Sequence, residues 1–216
     1  MTGFYSAFIV AERRKEAREL WENKFRKNAE KVYDLILEKI EEYPLQELGI
    51  RGFKKNSPVI FLLNYASRTK QLDGILTRLG TRKICADKDK CVQYQKGVEH
   101  IGCCSRDSYR TPDIAGLIIM QEIEAKRKGW ENRHGNFCKY LSSDGCKLSL
   151  FKSPLCMGYL CSRLEGLLLF AGKNGQNFCS AMRMVKCGIP EIGERTLFHA
   201  MDKAIEYGNL ILGERN

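Results

Sequence analysis

The chain has 216 residues, a formal net charge of +10, 44% hydrophobic and 29% charged residues. That length and balance suit one folded domain, or one with a helical extension, and exclude a disordered chain. The longest apolar runs, Val59 to Leu63, Leu117 to Met120 and Leu167 to Ala171, fall far short of the ~20 residues a bilayer needs, so no membrane role is expected. The N-terminal apolar stretch is followed, not preceded, by its basic residues, the wrong order for a secretory signal. A cytoplasmic protein is expected.

In chain order, the first predicted element is a long helix over 11–43. Trp21, Phe25, Ala29, Val32, Ile36, Ile40 and Tyr43 recur on one helical face, Glu and Lys/Arg alternate on the other, and Pro44 ends it. Ser57-Pro58 reads as an N-cap with Pro at N1. Periodicity leaves Val59 to Tyr65 open between a buried helix and a short strand. Leu72, Ile75, Leu76 and Leu79 continue a helical pattern to Gly80, a candidate C-cap. Thr111-Pro112-Asp113 predicts another helix start. Ile114, Leu117, Ile118 and Ile123 form its buried face, and Gly129 follows its basic last turn. Residues 159–171 and 192–207 read as two further helices. Gly172-Lys173-Asn174-Gly175 lacks the second half of a phosphate loop and reads as a turn. The fold class is therefore mainly α: a helical N-terminal region, 1–80, then an irregular cysteine-rich domain with helices, 81–216.

The ten cysteines all lie between Cys85 and Cys187. In a reducing compartment, clustered cysteines are metal ligands or catalytic groups rather than disulfides. Three groups are present: Cys85, Cys91, Cys103 and Cys104; then Cys138, Cys146, Cys156 and Cys161; then Cys179 and Cys187. Cys146 follows an Asp144-Gly145 turn signal, and Cys156 follows Pro154 at a helix start, where the helix N-terminus favours a thiolate. Zinc ribbons need paired C-x2–4-C knuckles. Only Cys156 and Cys161 are so spaced, and His100, His134 and His199 are the only histidines. A widely spaced all-sulfur set fits an iron–sulfur cluster, [4Fe–4S], better than the alternative, zinc. The eight candidate ligands are Cys85, Cys91, Cys103, Cys104, Cys138, Cys146, Cys156 and Cys161; Cys179 and Cys187 receive no role.

Gly102-Cys103-Cys104 before Thr111-Pro112-Asp113-Ile114, then Phe137-Cys138-Lys139-Tyr140-Leu141, Gly145-Cys146-Lys147-Leu148, Ser153-Pro154-Leu155-Cys156 and Tyr159-Leu160-Cys161, resemble the CxxCxxCC-type zinc- or iron-chelating domain family. The resemblance covers residues 85–161. Here x5 and x11 spacings replace the family's compact run, and Pro154 stands two rather than three positions before Cys156. The family includes flagellin lysine methylases that use an iron–sulfur cluster. The resemblance thus implies metal binding, with iron–sulfur a serious candidate, and no particular reaction.

Residues 51–110 hold 13 Lys/Arg against 5 Asp/Glu, with Tyr65, Tyr94 and Tyr109 interleaved. Basic groups neutralise phosphate and aromatics stack on bases. The segment is thus a candidate surface for a nucleic-acid or protein substrate, and the long helix a candidate docking arm. Two functions follow: an enzyme or redox protein whose cluster acts on such a substrate, or a zinc-stabilised nucleic-acid-binding or protein-interaction module. The sequence does not specify the oligomeric state.

Overall fold

The computed structural model describes residues 19–42, 57–81, 84, 114, 116–130, 138–142 and 145–213. The chain is mainly helical. Helix α1 covers residues 19–26, α2 Ala29–Glu42, α3 Pro58–Arg78, α4 Leu117–Arg127, α5 Pro154–Gly158, α6 Ser162–Leu169 and α7 Gly172–Gly213. One antiparallel pair joins β1, Leu141–Ser142, to β2, Gly145–Cys146, with Leu141 opposite Cys146.

The expected single helix over 11–43 is divided in two within the described residues. A turn at Lys27 and Asn28 separates α1 from α2. The Asn28 N–H donates to the Phe25 carbonyl at 2.9 Å, and the Asn28 carbonyl accepts the first bond of α2 from Val32 at 3.0 Å. Asn suits such a helix start. The apolar stripe survives the break, because Phe25, Ala29 and Ile36 are all buried. Tyr33, absent from the expected stripe, is buried too.

Ser57 caps α3 as expected: its hydroxyl accepts from the Val59 N–H at 3.3 Å, with Pro58 in the first turn. Val59 to Tyr65 is helical, which resolves the open choice between helix and strand. Leu62, Leu63, Tyr65, Ala66 and Leu72 are fully buried in α3; each large apolar side chain so buried stabilises by roughly 1.5–3 kcal/mol. Gly80, at φ +82°, follows the Leu79 cap.

Within the described residues, the helix expected from Thr111 is represented by α4. Residues 111–113 lie outside the described residues, Ile114 is in a bend, and α4 begins only after Gly116 at φ +79°. A Cβ on Gly116 would stand 3.0 Å from Phe25 and 3.3 Å from Leu62 and Trp21, so the site needs both the left-handed backbone and the missing side chain. The far end of α4 matches the expectation from Gly129. The Trp130 N–H donates to the Ala125 carbonyl at 2.9 Å and the Gly129 N–H to Lys126 at 3.0 Å, a Schellman closure with Gly129 at φ +61°.

Gly172-Lys173-Asn174-Gly175 opens α7 rather than forming a free turn. Gly175 is required there because a Cβ would meet the Leu168 carbonyl at 1.9 Å. Helix α7 has two limbs, since Gly188 and Gly193 leave helical geometry.

The hydrophobic core is continuous across residue 80. Phe25, Ile36, Leu62, Ile75, Met120, Phe151, Phe178 and Met201 belong to one buried cluster. Arg68 ties α3 to α7 through a two-point bond to Asp202, at 2.8 and 3.1 Å. Arg26–Glu122, Lys126–Glu30 and Arg127–Asp34 pairs join α1 and α2 to α4. These exposed pairs fix register more than they stabilise. No described helix is long and apolar enough to cross a membrane.

Candidate functional site

Cys85, Cys91, Cys103 and Cys104, and most of the basic 51–110 segment outside α3, lie outside the described residues. The second group of cysteines can be placed. The β1–β2 hairpin folds the chain back between Cys138 and Cys146, and the Lys147 N–H donates to the Tyr140 carbonyl at 2.9 Å. Cys138 is buried with Ala125, Tyr140 and Leu148 in a small second cluster, against which Trp130, Cys146 and Cys156 pack. Three of the eight candidate ligands therefore share one cluster. Cys161 is not part of it; it is the N-cap residue of α6, and its side chain makes no capping bond.

Two buried charge systems hold this region. The Glu124 side chain, with no exposure, accepts from the Ser149 N–H at 2.6 Å, the Ser149 hydroxyl at 3.0 Å, the Leu150 N–H at 3.2 Å and the Phe151 N–H at 3.1 Å. Lys128 adds an ammonium at 2.6 Å. A buried carboxylate supplied with this many donors is tolerable where a lone one is not. The same carboxylate thereby fixes the strand of chain between Cys146 and Cys156.

The second system is the buried ion pair of Lys152 with Asp73 on α3. The Tyr65 hydroxyl donates to the Lys152 carbonyl. Burial pushes the Tyr65 phenol well above its ordinary value; Cys156 acts in the same direction and a bond with Thr69 opposes it. Burial likewise pushes the Cys146 thiol up. Lys152 and a backbone bond from Leu148 oppose that rise, while Asp73 and Glu124 add to it. Lys152, Asp73 and Glu124 thus act on the Cys146 thiol, and Tyr65 and Cys156 act on each other; none of Lys152, Asp73, Glu124 and Tyr65 stands out by helical or strand periodicity.

Cys156 sits in the first turn of α5, where its N–H donates to the Ser153 hydroxyl at 3.1 Å. Helix α5 lies hard against α7: a Cβ on Gly158 would meet the Lys186 nitrogen at 2.4 Å and the Met182 carbonyl at 2.5 Å.

Cys179 is buried in α7 and its thiol is pushed up, first by burial and then by Glu165. Cys187 donates its thiol hydrogen to the Arg183 carbonyl at 3.4 Å. His199 is exposed on α7. Among the described residues no disulfide forms, and no set of three or more His, Cys, Asp or Glu side chains closes into a metal-holding group. Cys138, Cys146 and Cys156 thus share the small apolar cluster without closing into a three-ligand set.

A cleft of about 320 Å³ opens on the outer side of the small cluster, lined by Glu122, Ala125, Lys126, Gly129, Trp130, Lys139 and Tyr140. The chain matches no family model, no curated protein and no solved structure.

Proposed function

We propose that the protein binds an iron–sulfur cluster through cysteine thiolates, and that it is an enzyme or redox protein acting on a protein or nucleic-acid substrate. The observation that carries this reading is the gathering of Cys138, Cys146 and Cys156 on one small cluster, with the chain between the last two anchored by a buried carboxylate. Anchored backbone at ligand positions is what a preorganised metal site needs. The vicinal Cys103 and Cys104, with Cys85, Cys91 and Cys161, supply the remaining candidate ligands. The basic 51–110 segment is the proposed substrate surface, and its charge also offsets a negative thiolate cluster.

Single Cys→Ser substitutions test the ligand set. Cys138→Ser, Cys146→Ser and Cys156→Ser lower bound metal and solubility together, because metal binding and folding are linked. Cys187→Ser, on the surface of α7, leaves metal content unchanged. A soluble, fully metallated Cys146→Ser protein contradicts the assignment at that position. Stoichiometric zinc without iron selects the alternative, a zinc-stabilised nucleic-acid-binding or protein-interaction module.

A further inference from the structure

We draw no further inference here: the strongest candidate, the exposed apolar corner where α6 meets α7, formed by Leu167, Leu169 and Phe170, carries nothing, because nothing in the structure shows what covers it and the Arg183 guanidinium on α7 is already paired with Glu165 on α6.

Discussion

The Glu124 carboxylate on α4 accepts the Phe151 backbone N–H at 3.1 Å across 27 residues of sequence, with neither residue exposed to solvent. Through this bond and its neighbours the end of the hairpin and the start of α5 hang from α4. Replacing Glu124 by Ala leaves three backbone N–H groups and the Ser149 hydroxyl without their acceptor. The expected loss is about 3 kcal/mol or more, read as a lower denaturant midpoint. Glu122→Ala, two residues away on the exposed side of α4, should cost under about 1 kcal/mol.

The buried Asp73–Lys152 pair behaves differently when both members are removed. Lys152→Met strands the Asp73 carboxylate inside, and Asp73→Leu strands the ammonium. Each single change should cost about 3–5 kcal/mol, while the double change should cost less than either. A double-mutant cycle by urea unfolding measures this.

Gly158→Ala tests how closely α5 must approach α7. The new methyl has backbone atoms of Lys186 and Met182 within 2.5 Å, and backbone cannot swing aside as a flexible side chain can. A loss of at least about 1–3 kcal/mol is expected, with a shift of Cys156 away from the small cluster. Gly74→Ala, in open space on α3, should be neutral or slightly stabilising, about 0.5–1 kcal/mol at most.

Alkaline pH should weaken the fold through Tyr33. Burial, and then the nearby Glu124 carboxylate, push its phenol up to about 12, against an ordinary value of about 10. The unfolded chain therefore releases this proton first. Tyr33 contributes fully below about pH 10, and its contribution is lost as pH rises from there towards about 12. Denaturant midpoints measured from about pH 9 to about pH 12 should fall less steeply for Tyr33→Phe than for the unaltered protein.

What was legible in the sequence was local. Ser57-Pro58 and Gly129 carry their capping chemistry within a few residues, and Phe25, Ala29 and Ile36 keep a helical spacing that continues through the turn at Lys27 and Asn28. That same continuity hid the turn, since the apolar period is preserved across it. The left-handed Gly116 was not legible, because Phe25, Leu62 and Trp21 approach it from distant positions. Gly172 to Gly175 looked like a turn for the same reason: the contact that requires Gly175 comes from Leu168. In the candidate site, Cys138, Cys146 and Cys156 meet at one small apolar cluster, while Cys161, adjacent in spacing, lies outside it at the start of α6, since sequence spacing does not say which loops converge. Glu124 and Lys152 were invisible as anchors, because a charged residue in a pattern reads as solvated until its partners on another element are known.

The central claim is that these cysteines hold an iron–sulfur cluster. The most direct measurement is the visible absorption spectrum of anaerobically purified protein, taken with its iron, sulfide and zinc content. A brown protein with iron and acid-labile sulfide in matching amounts is the predicted result. A folded, colourless protein without iron contradicts it, whether or not zinc is present.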